Sequence, residues 1–587
     1  MMYPKVLGFL LLPVLLGLAA AAKEVHWSFR PLNPGPLPEQ CTDPWAKNAI
    51  DGFILKRLEH EAVRPQPEAD RATLIRRVSA GLTGLPPSLE ELELFTADDA
   101  PEAYRRMVDD FLARPAFGER WARHWLDVAR FGETDGILTV NEDRPRETAW
   151  QYRDAVIRAF NADLPFDQFV SFQLAGAPKG MEPDYVDLHQ FIHLGTRLQS
   201  NANPNDRQWH RLDDMVSTTG NAFLGLSFGC ARCHDHPVDP MTTAEYYEFA
   251  AVFFDQVQEN EKAKNKRVPL EITEPRILTK GSWSSPGDSV QAGYLQVLMR
   301  SPADHWQGKN TDQLASMAAW LTDVEAGAGM QLARVMVNRI WHHHVGAGLV
   351  KTPNDFGHLG APPSHPELLD WLATELIKND WKLKSVHRLI LNSATYRQRG
   401  AHDPALLVRD AENTWLWQWR PQRLEAEALR DRLLQVAGVL KPEMYGPSIS
   451  IGGYQREVPD APHQWRRSIY LLVHRTVRHP TLCLFDRPDT SRSVGARSTG
   501  STAEASLFAL NAPLMWDLAG HFARRIVREA GEVPSDQIRH AYLLALSRPP
   551  TPEEAELGRS ILKKSDDHDL VVFAHLLLSL NEFIYIH

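Results

Sequence analysis

Residues 101–114 read PEAYRRMVDDFLAR, and Tyr104, Met107, Val108, Phe111 and Leu112 recur there at three- and four-residue steps. That spacing is the stripe of an amphipathic helix laid on a core, and it decides the fold class. Just upstream, Pro86 and Pro87 lead into Ser88 with Glu91 three residues later, a capping box that opens another helix. The phrase returns near the C-terminus, where residues 546–554, LSRPPTPEE, echo residues 82–91, LTGLPPSLEE. One turn chemistry used twice accounts for the echo without a duplicated domain. From Trp45 to Phe254 helical patterns follow one another between Pro and Gly punctuation. The segment from Gln256 to Gly308 differs: it is Lys-rich over 262–267, alternates like a strand over Leu270, Glu271, Ile272 and Thr273, and then turns rich in Gly, Ser and Pro. It reads as a linker or small β insert. Helical periodicity resumes over 311–341, and residues 466–477 are apolar and β-branched enough to predict a strand.

The expected architecture is therefore mainly α and multi-domain: two largely helical domains with a minor β insert or linker between them. Residues 1–22 read as a signal peptide, 23–255 as a helical cytochrome-like domain, 256–310 as the linker or insert and 311–587 as a second mainly helical domain. A chain of 587 residues exceeds what one hydrophobic core usually holds. Lys5 precedes the apolar run 6–18, which Pro13 interrupts, and small residues follow at 19–22. The run is shorter than the roughly 20 residues a membrane span needs. The mature chain has no transmembrane stretch, so the expected location is exported, in the periplasm or at the cell surface. A net charge of -10 with interspersed signs gives no basic field for nucleic acid.

Chemistry concentrates at Cys230-Ala231-Arg232-Cys233-His234. In a chain with only 4 Cys and 24 His, chance placement of CxxCH has an expectation of roughly 0.001. The spacing suits covalent haem c: each sulfur adds to one vinyl group, and the following histidine reaches the iron. Cys230, Cys233 and His234 are thus the candidate cofactor-binding residues, with His234 as proximal iron ligand and one haem expected. The distal ligand is unassigned; Met215, Met241, His193, His210 and the triplet His342-His343-His344 are candidates. Two other chemistries compete for the motif. Cys230 and Cys233 would also form a short-loop disulfide, or hold zinc with His234 and His236. Cys41 and Cys483 are compatible with a disulfide without demanding one.

Nearly the whole mature chain carries motifs of a known family. In the first half these are residues 48–55, NAIDGFIL; 82–87, LTGLPP; 118–127, GERWARHWLD; and 230–236, CARCHDH. In the second they are 333–341, ARVMVNRIW; 352–357, TPNDFG; 363–372, PSHPELLDWL; and 423–431, RLEAEALRD. The chain resembles the planctomycete-type cytochrome-associated two-domain family, in which a surface-cytochrome-type domain of unknown function precedes a companion surface domain of unknown function. The resemblance implies an exported, haem-carrying protein, and it transmits no reaction. Many relatives add an N-terminal cytochrome c module; here residues 23–229 hold only Cys41.

Other clusters receive plainer readings. The run Arg423, Glu425, Glu427, Arg430, Asp431 and Arg432 reads as a solvated helix face, and the His triplet as a solvated helix end complementing the dipole. Trp415, Trp417 and Trp419 read as a packing rib or strand edge. Asp127, Glu133, Asp135, Glu142 and Asp143 concentrate carboxylates without EF-hand spacing, and His365 sits in a turn. Two functions stand at this stage. One is one-electron transfer by a monohaem c-type protein with redox partner proteins, favoured over catalysis. The alternative is a non-redox surface or periplasmic binding protein, acting with polysaccharide-processing systems, whose CxxCH is a disulfide or zinc site.

Overall fold

The computed structural model describes residues 25–136, 143–181, 184–198, 202–257, 272–308, 312–450, 460–477, 479–500, 502–562 and 567–587. The segment read as a signal peptide, the Lys-rich run 262–267, Leu270, Glu271 and Glu142 lie outside these residues. Helices dominate the described chain, and its named strands form two antiparallel pairs: Arg276–Leu278 with Pro286–Ser289, and Gln422–Arg423 with Tyr585–Ile586. The protein is mainly α, as its periodicity predicts.

The local signals work as read. The Ala103–Ala113 helix buries Tyr104, Met107, Val108, Phe111 and Leu112. Ser88 accepts from the Glu91 amide while Glu91 returns to the Ser88 amide, and Thr551 with Glu554 repeats the box at the other end of the chain. Two orphan amides are satisfied reciprocally at each helix start.

One strand expectation fails, and another is displaced along the chain. Residues 466–477 contain a short 3-10 turn, Ser468–Tyr470, and make only isolated parallel bridges, Lys441 to Arg466 and Ile449 to Leu471. Arg467, Ser468 and Tyr470 use their polar groups on buried carboxylates there, and those anchors replace a ladder. In the insert the strand falls at Arg276–Leu278, whereas Ile272 and Thr273 are coil. The three tryptophans form a packing rib: Trp417 and Trp419 are buried, and the Arg77 guanidinium lies 3.8 Å from the Trp419 ring centre.

Two apolar clusters organise the molecule. The first runs from Phe29 to Val473 and takes residues from both sides of the 256–310 segment, among them Ile50, Val108, Trp125, Trp320, Ile340 and Leu372. The second is built from residues 424–586 with Ala80. The two halves of the sequence are also stitched by hydrogen bonds. Asp51 accepts from the amides of Ala394 and Thr395, both at 2.9 Å, and the Tyr104 hydroxyl donates to the Leu391 carbonyl at 2.9 Å. Their junction is consequently a buried surface, and it houses most of the polar family motifs. No helix among the described residues is long and apolar enough to cross a membrane.

Candidate functional site

The CxxCH turn is built on the surface. Gly229–Arg232 forms one 3-10 turn that buries Ala231 and leaves Cys230, Cys233 and His234 exposed, with both thiols free. Three contacts fix it. Tyr247 donates its hydroxyl to the Arg232 carbonyl at 3.0 Å, the Arg232 guanidinium pairs with Asp213 at 3.2 Å, and Asp235 accepts from the Thr243 amide at 2.8 Å. The Thr242 and Glu245 capping box then opens the Thr243–Ala251 helix. Beside the turn, Gly281 has φ +71°, and a Cβ there would lie 2.8 Å from the Cys233 sulfur. Only glycine suits both the conformation and the approach.

The histidines of this loop are in different states. His234 Nδ1 lies 2.8 Å from the Asp235 carbonyl oxygen. A carbonyl only accepts, so Nδ1 carries the proton and Nε2 presents the lone pair. That arrangement orients a metal-binding imidazole. His236 is the reverse: it is buried, and its Nδ1 accepts from the Asp239 amide at 2.9 Å. Its neutral form then carries the proton on Nε2, so joining a zinc site with the thiols would require a change of tautomer. Asp239 lies between two histidines: its Oδ2 is 3.5 Å from His236 Nδ1, and its Oδ1 accepts from the His358 amide at 2.7 Å and lies 2.8 Å from His358 Nδ1. The donor set of Cys230, Cys233 and His234 fits covalent haem attachment: two accessible sulfurs and an imidazole with a free Nε2.

The distal candidates sit in unlike places. Met215 and Met241 are buried in the first cluster. His210 Nε2 lies 3.1 Å from Thr196 Oγ1, and burial lowers His193 to about 4. The triplet belongs to the second centre.

That second centre lies at the junction of the two halves. The Pro115–Val128 helix turns one face, with Phe117, Trp121 and Trp125, into the apolar core. Gly118 permits its close crossing of the Ala149–Asn161 helix, since a Cβ there would stand 2.6 Å from the Ile157 carbonyl. Its polar residues meet the second half. Arg120 donates to Glu425 Oε2 at 2.6 Å, Arg123 pairs with Asp127 of its own helix at 2.5 Å and lies 3.8 Å from Glu427, and Glu119 accepts from Arg467 at 3.0 Å and from Tyr470 at 2.7 Å. Arg497 ties Asp127 at 2.6 Å to Glu427 at 2.5 Å. The run expected to be a solvated helix face is instead buried, with Glu427, Arg430, Asp431 and Arg432 all below 6% exposed. Opposite charges contributed by distant segments let these groups leave water.

The His triplet is likewise no solvated helix end. His344 is buried with Nε2 2.7 Å from His387 Nδ1, and burial lowers it to about 3. His343 stacks on His124, ring centres 3.6 Å apart at 21°. Glu425 Oε1 lies 3.7 Å from His124 Nδ1 and 3.9 Å from His343 Nδ1. Burial holds both imidazoles well below the usual histidine range, so they are neutral at pH 7. Burial alone would raise Glu425, but Arg120 and Arg497 outweigh it and hold the carboxylate ionised. His343, Glu425, Arg120 and Arg497 line a cavity of about 390 Å³.

The remaining candidates are structural. Glu133 accepts from Ser448 Oγ at 2.6 Å and the Val473 amide at 2.8 Å, Asp135 pairs with Arg146 at 2.9 Å, and Asp143 accepts from the Gly136 amide at 2.6 Å. His365 lies against Ser364 Oγ at 3.0 Å, and neither Cys41 nor Cys483 is in a disulfide. Sequence reading missed His124 and Arg497, and it placed Glu425 in solvent.

Residues 49–259 match the family PSCyt2, described as a protein of unknown function (DUF1549), and residues 314–562 match PSD1, described as a protein of unknown function (DUF1553). No curated protein matches the chain, and neither does any solved structure.

Proposed function

Since this chain belongs to the planctomycete cytochrome-associated family that joins a PSCyt2 domain to a PSD1 domain, we propose that it is an exported monohaem c-type protein transferring single electrons. Haem c would be held by thioethers to Cys230 and Cys233, with His234 as proximal ligand, and when bound it supplies a one-electron iron couple. The observation that carries the reading is the arrangement of one turn: two exposed thiols, and an exposed imidazole whose Nδ1 proton is committed to the Asp235 carbonyl.

The chain's own residues have separable tasks. Tyr247, Asp213 and the Thr242 cap hold the turn, so the two sulfurs and the ring keep their spacing without the haem. Asp235 fixes the tautomer from its carbonyl and anchors the loop from its carboxylate. Because the turn is exposed, a redox partner protein would reach an attached haem without domain movement. Attachment outside the cytoplasm requires export, and the apolar run 6–18 supports that part of the proposal.

The test is to express the full chain in a periplasm with c-type maturation machinery and stain a denaturing gel for haem. One covalent haem per chain is expected, lost in Cys230→Ala with Cys233→Ala. In His234→Ala the haem is retained with an altered spectrum. A protein that matures in quantity without haem overturns the proposal.

A further inference from the structure

His124 is 5% exposed, and neither of its ring nitrogens has a hydrogen-bond partner. Folded proteins rarely leave a buried imidazole in that condition, and each such group calls for an account. Its Nδ1 faces Glu425 Oε1 at 3.7 Å, with His343 Nδ1 3.9 Å from the same oxygen. One ligand atom from each residue lies within 4.8 Å of the other two. Ligands bonded to one ion at about 2.0–2.1 Å in a tetrahedron stand about 3.3–3.4 Å apart, so the Oε1 separations exceed a closed site by only a few tenths of an ångström. The stacked rings send their nitrogen lone pairs nearly parallel, so closing the set requires one imidazole to turn out of the stack toward Glu425.

We infer that His124, His343 and Glu425 bind one divalent transition-metal ion of the Zn²⁺ class on the wall of the junction cavity. The donor chemistry is that of such an ion: two imidazoles and one carboxylate, without thiolate. Arg120 holds Glu425 through Oε2, which leaves Oε1 facing the two imidazoles. The neighbouring guanidiniums are already engaged: Arg497 with Asp127 and Glu427, Arg123 with Asp127, Arg120 with Glu425 Oε2. Three protein ligands beside a cavity of about 390 Å³ leave one position for solvent or substrate. That composition belongs to catalytic rather than structural zinc sites. The inference is independent of haem attachment, which concerns other residues.

The experiment uses the full chain, free of added histidine tags, carrying Cys230→Ser and Cys233→Ser so that no thiolate of the CxxCH turn competes. Chelator-treated protein is dialysed against Zn²⁺ and its metal content measured; Co²⁺ replaces Zn²⁺ as a spectroscopic probe. One tight equivalent is expected, with a Co²⁺ spectrum of nitrogen and oxygen ligands and a rise in thermal midpoint on adding Zn²⁺. His343→Asn, chosen because His343 is 11% exposed and sits at the cavity wall, and Glu425→Gln should each weaken binding at least about 100-fold. Absence of a tight equivalent and of a thermal shift in the cysteine-free parent overturns the inference. So does an equivalent whose affinity and Co²⁺ spectrum are unchanged in both variants.

Discussion

The CxxCH turn and the His124–His343–Glu425 junction offer the same kinds of donor atom in opposite surroundings. At the turn, sulfurs and imidazole are exposed and the backbone holds the imidazole's tautomer. At the junction, imidazoles and carboxylate are withdrawn from water and held by ion pairs between segments some 300 residues apart. The difference teaches that ligand identity alone does not say what a site costs the fold. On the proposed function, the turn is an attachment point whose thiols and imidazole serve the group attached to them. The junction is part of the core, so its polar groups are simultaneously scaffold and candidate site.

The sharpest way to break that contrast is Arg497→Ala. It removes Arg497 from buried Asp127 and Glu427 and leaves them Arg123, at 2.5 Å and 3.8 Å, and stability should fall by about 3 kcal/mol. Chemical denaturation would read this directly. A loss below about 1 kcal/mol would mean the junction is wetter than described.

Acid should act on the same centre. His124, His343 and His387 are held by burial well below their ordinary 6.5, so the unfolded chain takes up protons that the folded chain refuses. Stability is then lost as pH falls through the unfolded value, by about 1 kcal/mol per histidine between pH 7 and 5.5. Glu425 and Glu427, lowered in the folded state by their arginines, add a further loss below pH 4.5. Denaturation midpoints measured at pH 7 and 5.5 check the sign. Equal midpoints would contradict neutral burial of the imidazoles.

The turn should respond weakly. Thr242→Ala removes the cap that anchors the loop and should cost about 1 kcal/mol. Cys230→Ala, at an exposed position, should change stability by no more than about 0.5 kcal/mol while abolishing one of the two proposed thioether attachments. Thermal melts of the haem-free proteins separate these two effects from attachment itself.

How much of this was legible in the sequence follows from the range of each interaction. Capping boxes at Ser88, Thr242 and Thr551 and the stripe from Tyr104 to Leu112 are local, and the structure contains all of them. The CxxCH turn is also local, since its spacing is its chemistry. The junction is not. Glu427, Arg430, Asp431 and Arg432 read as solvated because one segment seen alone shows charge without its partners, and those partners are Arg497, Asp460, Arg467 and the Ala545 carbonyl. A signal was available: in the Ala426–Val436 helix Ala428, Leu429, Leu433 and Leu434 flank the charges on more than one side, leaving no wholly polar face for water. The strand expected over 466–477 failed for the same reason, because its polar groups serve distant carboxylates in place of a neighbouring strand.

The central claim is tested most directly by a pyridine haemochrome spectrum of the matured full chain, with a haem-stained denaturing gel beside it. The account predicts about one covalent haem per chain, absent once Cys230 and Cys233 are replaced. A mature, folded protein with free thiols and no haem would contradict it.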